Sequence, residues 1–263
     1  MYSSNVAKDK LGTGGAEFVQ RTRKLLLHRG PAALQFVGDS IMKTSQLYLV
    51  VYNAIQILGW AYILLLTVRG LADGLTFPEL YKSVETPLKI FQTAAILEVI
   101  HSLTGLVRSP VGTTLMQVTS RVVLVWPILH TCATSRVSLG VPLLLLAWSI
   151  TEVIRYSFYA LGLFGAVPYF LTYLRYTTFI VLYPMGVTGE LLTLFAALPE
   201  VAEKKHYSLE MPNALNFGIS FWWVLIFAAI SYIPGFPQLY FYMFAQRRKI
   251  IGGEGGRADK KKN

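Results

Sequence analysis

Between residues 47 and 233 the chain carries six apolar runs. Each approaches the about 20 residues that a helix needs to cross a bilayer. They cover roughly residues 47–68, 87–107, 112–133, 139–159, 176–198 and 217–233. Inside lipid, a segment of that length satisfies its backbone polar groups only as a helix, so the expected fold is an all-α polytopic membrane bundle with six transmembrane helices. Composition agrees. Charged residues make up 14% of the chain, against about 25% in soluble domains, and the mean hydropathy is +0.48.

Charge is unevenly placed. Lys8, Lys10, Arg21, Arg23, Lys24, Arg29 and Lys43 precede the first run, and Arg247, Arg248, Lys249, Arg257, Lys260, Lys261 and Lys262 follow the last. That is the positive-inside pattern, and it argues for a lipid bilayer and against nucleic acid as the partner of the formal +10 charge. An even number of spans puts both termini on one side, the cytosol. The expected organisation is a cytosolic tail over 1–46 with an interfacial helix, a six-span catalytic membrane domain over 47–246, and a basic cytosolic tail over 247–263. Residues 69–86 are expected to form a loop, and Pro234-Gly235-Phe236-Pro237 to break the sixth run.

Cys132 is the single cysteine, which excludes an intramolecular disulfide and argues against a cysteine metal site. The first apolar run begins too far into the chain for a cleavable signal peptide. The ending Lys260-Lys261-Lys262-Asn263 resembles the dilysine retrieval signal of endoplasmic reticulum membrane proteins.

Several ionisable residues stand where lipid should surround them: Glu98, His101, Arg121, Glu152, Arg155 and Glu190. Each costs on the order of 3 kcal/mol at a helix centre, so such groups face the bundle interior and pair. Glu98 and His101 are three residues apart, as are Glu152 and Arg155, so each pair shares a helix face. Structural ion pairing that fixes helix register is the plain reading of any one of them. Tyr183 and Glu190 are two turns apart on the fifth run, roughly 10 Å along the axis. Pro184, Gly186 and Gly189 lie between them. This stretch is either a kinked packing interface or a broken helix opening a cavity around two proton-transfer groups. No metal-binding motif, nucleophile elbow or phosphate-binding glycine loop occurs.

The stretch Tyr183-Pro184-Met185-Gly186-Val187-Thr188-Gly189-Glu190 resembles the signature of the membrane very-long-chain (3R)-3-hydroxyacyl-CoA dehydratases, a family also called protein tyrosine phosphatase-like. The likeness extends to Leu97–His101 with Gly105, to Gln117–Arg121, to Trp148–Phe158, and to Met211-Pro212-Asn213 with Asn216-Phe217, and covers roughly residues 47–249. Leu106-Val107-Arg108-Ser109-Pro110 looks closest to plant-type members. The resemblance implies a lyase of the endoplasmic reticulum that removes water from a (3R)-3-hydroxyacyl-CoA in the third step of very-long-chain fatty acid elongation, without a cofactor. It implies Tyr183 and Glu190 as the catalytic pair. Glu190 is read as the base at C2 and Tyr183 as donor to the departing hydroxyl, an order that spacing alone leaves open. Arg121, Glu152, Arg155 and Tyr156 are candidates to orient the pair or polarise the thioester. Arg108 and Arg175, with Arg155 near the same rim, are placed to meet the CoA phosphates. The other enzymes of the cycle, the condensing enzyme, ketoacyl reductase and enoyl reductase, are expected partners.

The phosphatase-like name refers to a His-Cys-x-x-Gly-x-x-Pro stretch. Here it runs His101-Ser102-Leu103-Thr104-Gly105-Leu106-Val107-Arg108, with serine for the nucleophilic cysteine and arginine for the proline. Without a thiolate, a phosphatase mechanism has no nucleophile. The alternative class is a non-catalytic scaffold or adaptor of the elongation complex. A transporter would favour internal repeats, and the chain has none.

Overall fold

Helix α1 (Thr44–Ala72) reverses the arrangement of a soluble helix. Its buried face carries Asn53, Gln56 and Thr67 beside Trp60 and Ile63, while Val51, Ile55, Leu58, Tyr62 and Leu65 are exposed. A helix apolar all round belongs in lipid. Its interior polar groups find partners on the helix itself: the Asn53 amide donates to the Leu49 carbonyl at 2.7 Å, and the Thr67 hydroxyl to that of Ile63 at 2.8 Å.

The computed structural model describes residues 44–212 and 216–252. The chain divides into two compact units after Tyr48, and the contacts below belong to the second, which begins at Leu49. After α1 come α2 (Phe77–Ala94), α3 (Ile96–Leu103), α4 (Val111–Val123), a π-helical segment (Leu124–His130), α5 (Ala133–Arg136), α6 (Gly140–Leu163), α7 (Tyr169–Arg175), α8 (Phe179–Lys204) and α9 (Phe221–Ile251). Among the described residues the β pairing is a single bridge, Leu209 with Ile219. The fold is the all-α membrane bundle expected of the sequence, and the chain is a multi-pass membrane protein.

The details differ from expectation in four places. Four helical stretches are long and apolar enough to cross a membrane: α1, α6, the α7–α8 stretch Tyr169–Lys204, and α9. The second and third expected spans are each interrupted. One breaks at Ala95 between α2 and α3. The other widens into the π segment around Pro127, whose missing N–H cannot continue the α ladder. The expected loop over 69–86 is mostly helix. α1 runs on to Ala72, and α2 starts at once behind a capping box, where the Glu79 carboxylate accepts from the Thr76 backbone N–H at 2.9 Å. Pro234 and Pro237 do not break α9; membrane helices tolerate proline where neighbouring groups re-satisfy the freed carbonyls. Finally, Arg247, Arg248 and Lys249 are the last turns of α9 rather than tail. Of the expected N-terminal tail, only residues 44–46 lie among the described residues, and they open α1.

The tightest helix pair is α6 with α8. A Cβ at Gly189 would lie 2.6 Å from the Leu144 nitrogen and 2.9 Å from the Gly140 oxygen. Only hydrogen allows the backbones that approach. This contact fixes the face of α8 next to Gly189, and therefore Glu190, against α6.

Candidate active site

α8 continues through Pro184, so Tyr183 and Glu190 remain on one helical frame. Proline leaves the carbonyl four residues earlier without its donor. Here that carbonyl belongs to Ile180, and the Tyr240 hydroxyl of α9 donates to it at 3.0 Å. The same Tyr240 ring lies nearly parallel to Tyr183 at 6.0 Å, and Phe236 stacks on Tyr183 at 5.2 Å with 4° between planes. One aromatic stripe of α9 thus repairs the proline and sets the plane of the candidate catalytic phenol. The Tyr183 hydroxyl makes no hydrogen bond among the described residues. Of the two readings of this stretch, the broken helix gives way to a continuous one with a repaired carbonyl.

Glu190 is held from two sides. The Trp148 indole N–H of α6 donates to one carboxylate oxygen at 2.8 Å, and the Tyr232 hydroxyl of α9 donates to the other at 2.6 Å. Trp148 also presents its ring face to the Arg121 guanidinium, 5.1 Å from the centroid. Arg121, from α4, pairs with Glu152. Glu152 pairs with Arg155 at 2.6 Å, and Arg155 clamps Glu98 of α3 at 2.6 and 2.8 Å. The Tyr156 hydroxyl also donates to Glu98, and Tyr52 of α1 reaches the same carboxylate at 3.4 Å. His101 packs edge-on to the Tyr52 ring at 5.0 Å.

Sequence reasoning therefore named residues that the fold does bring together. Arg121, Glu152, Arg155 and Tyr156 form one buried network that reaches Glu190 through Trp148. Their charges are matched in pairs, Arg121 with Glu152 and Arg155 with Glu98. Glu190 is different: its hydrogen-bond partners among the described residues are the neutral donors Trp148 and Tyr232, so its carboxylate is oriented without a cation bound to it. Arg155 is committed to Glu98 and Glu152 and is not free at a rim to meet phosphate. Arg108 is exposed, and Arg175 donates to the Tyr159 hydroxyl at 3.0 Å. Neither joins the network. In the stretch aligned with the phosphatase name, the Ser102 hydroxyl donates to the Ser109 carbonyl at 2.7 Å.

Trp148, Tyr232, Phe236 and Tyr240 were missed. Trp148 offered a faint signal, four residues before Glu152 and so on the same face of α6. Tyr232 and Tyr240 carry no signal of their own in the sequence, because nothing there pairs α9 with α8.

Beside the pair, α8 and α9 form an open apolar cavity of about 390 Å³. Val187, Leu191 and Phe195 form one wall, with Ile226, Ala229 and Ile230 opposite, and Tyr232 and Phe236 line it as well.

A phenol and a carboxylate held by neutral donors, both half-buried in a helical bundle beside an apolar groove, are the groups that a membrane-embedded acid–base site for a ligand with a long apolar part would need. Residues 92–253 match the family described as protein tyrosine phosphatase-like protein, PTPLA, and the chain belongs to that family. It is 76% identical over 209 residues to a very-long-chain (3R)-3-hydroxyacyl-CoA dehydratase of Caenorhabditis elegans, covering 79% of this chain and 96% of that one. It is 50% identical over 205 residues to very-long-chain (3R)-3-hydroxyacyl-CoA dehydratase 2 of Homo sapiens, covering 78% and 80%. Identity to the dehydratase PASTICCINO 2 of Arabidopsis thaliana is 42% over 207 residues, covering 78% and 93%. Although residues 106–110 look plant-like, identity to the nematode protein is the higher, 76% against 42% over nearly the same share of the chain. No solved structure matches.

Proposed function

We propose that this chain is a (3R)-3-hydroxyacyl-CoA dehydratase, forming trans-2-enoyl-CoA in the third step of very-long-chain fatty acid elongation. The observation that carries the reading is the Glu190 carboxylate, on the same helix as Tyr183, fixed by two neutral donors from α6 and α9 and with an apolar groove beside it. The names of the relatives, at up to 76% identity among those given above, support it.

Glu190 takes the C2 proton, which the thioester acidifies. The C–H electron pair becomes the C2–C3 double bond, and the C3 hydroxyl leaves as water with the proton of Tyr183. Transfer of a proton from Glu190 back to Tyr183, directly or through water, resets the site. A carboxylate without a bound cation suits a base that must become neutral in each turnover, and an unengaged phenol suits a donor. Arg121 and Glu152 hold Trp148 and so orient Glu190, while Arg155, Tyr156 and Glu98 brace that pair. Arg108 and Arg175 lie at the end of the bundle where α8 begins, and they meet the CoA phosphates there. The basic stretches before the first span and after the last support a cytosolic side for both termini, in the endoplasmic reticulum membrane beside the condensing enzyme and the two reductases.

The test is direct. Tyr183→Phe and Glu190→Gln, purified in lipid nanodiscs, should each lower kcat on a 3-hydroxyacyl-CoA by roughly 10²–10⁴-fold. Wild-type turnover in both folded variants would sink the assignment.

A further inference from the structure

The cavity between α8 and α9 has a direction. Towards one end it is lined by the contact partners of the proposed pair, Phe236, which stacks on Tyr183, and Tyr232, which donates to Glu190. From there Val187, Leu191 and Phe195 recur every fourth residue and form a straight apolar wall parallel to the helix. Its outer side is open. Phe195 is 49%, Ile230 52% and Ile233 72% exposed, so the cavity is a groove in the lipid-facing surface and not a tunnel.

We infer that the substrate's acyl chain lies in this groove from Val187 towards Phe195 and leaves sideways into the bilayer, which makes the enzyme indifferent to chain length beyond Phe195. The inference rests on the dehydratase reading. The reacting carbons belong between Tyr183 and Glu190, level with Val187. From Val187 to Phe195 is about 12 Å of helix, enough for roughly ten chain carbons at the ~1.2 Å per bond of an extended chain. Later carbons meet lipid, which is as apolar as the groove, so they change binding little. An ordinary phospholipid is a poor occupant. Its polar groups sit at the membrane surface, whereas the polar end of this groove lies two turns inside α8. A 3-hydroxyacyl chain carries a hydroxyl at that depth, where buried polar groups need a partner.

The experiment has two arms, both in nanodiscs. In the first, turnover of 3-hydroxybutyryl-, 3-hydroxypalmitoyl- and 3-hydroxylignoceroyl-CoA is compared for wild type and Ala229→Phe, which fills the groove. Wild-type kcat should agree within about threefold for the two long substrates. Ala229→Phe should lose at least tenfold in kcat/KM on either long substrate relative to the short one. A sharp wild-type length limit, or an equal loss on all three substrates, overturns the inference. In the second arm, the wild-type protein is irradiated with a 3-hydroxyacyl-CoA bearing a mid-chain diazirine. Labels should fall on α8 and α9 and be displaced by unlabelled substrate. Labelling elsewhere, or equal labelling from a diazirine phospholipid that substrate does not displace, overturns it. If wild type forms no enoyl-CoA from any substrate, the dehydratase reading fails, and the second arm still reports whether an acyl-CoA occupies the groove.

Discussion

At the scale of single residues, Tyr232 is the side chain whose removal best separates positioning from scaffolding. It is half-buried, and its hydroxyl sits 2.6 Å from Glu190. Tyr232→Phe keeps the ring and the groove wall and deletes one hydrogen bond. Such bonds between membrane helices are worth about 1–2 kcal/mol at most, so kcat should fall roughly tenfold. KM should stay near the wild-type value, because the ring and the groove wall remain while the orientation of Glu190 is loosened. An unchanged kcat would reduce Tyr232 to packing. The sequence could single out Glu190, because a carboxylate in an apolar run is conspicuous. It could not single out Tyr232 or Trp148, because aromatics in a membrane span are ordinary, and only contacts across α6, α8 and α9 give these two a role.

At the scale of elements, the α6–α8 contact decides whether Trp148 can reach Glu190 at all. Gly189→Ala would place a methyl 2.6 Å from the Leu144 nitrogen. The backbones must separate, at about 1–3 kcal/mol by analogy with overpacked cores. Thermal unfolding in detergent should begin several degrees lower, with activity reduced. Gly186→Ala is the control: its methyl would meet the Ala147 Cβ at 3.4 Å, an ordinary contact, and should leave the unfolding midpoint near wild type. Equal effects of the two would show that helix approach at Gly189 is not special. The positions of α1, α6, α8 and α9 were legible because long apolar runs have one solution in lipid. Their continuity through proline was not. The repair of the Ile180 carbonyl by Tyr240 lies sixty residues away in the chain. The interrupted second and third spans escaped notice for a related reason: hydropathy averages across a break that costs a single turn.

At the scale of the molecule, the helices alternate direction and sort the charges. The end reached by the turn after α3, by α7 and by the last turns of α9 carries Arg108, Arg175, Arg247, Arg248 and Lys249, with no acidic residue among its turns. The opposite end is mixed, with Asp73, Glu79, Lys82, Glu203, Lys204, Lys205 and Glu210. By the positive-inside rule the proposed topology has the first end facing the cytosol. Cysteine labelling can check this without a cysteine-free background, because Cys132 is fully buried. In sealed microsomes an impermeant maleimide should label Val107→Cys and reach Asp73→Cys only after detergent. The reverse order would invert the topology and remove Arg108 and Arg175 from contact with cytosolic CoA.

The placement of Trp148 has an optical consequence. Its indole lies between a guanidinium on its face and a carboxylate on its N–H, so the chromophore sits in a strong local field set by Arg121 and Glu190. Any event that protonates or turns that carboxylate alters the field and moves the tryptophan emission. The proposed base therefore carries its own dye, and the proton it takes from substrate can be followed as a colour shift during a single turnover.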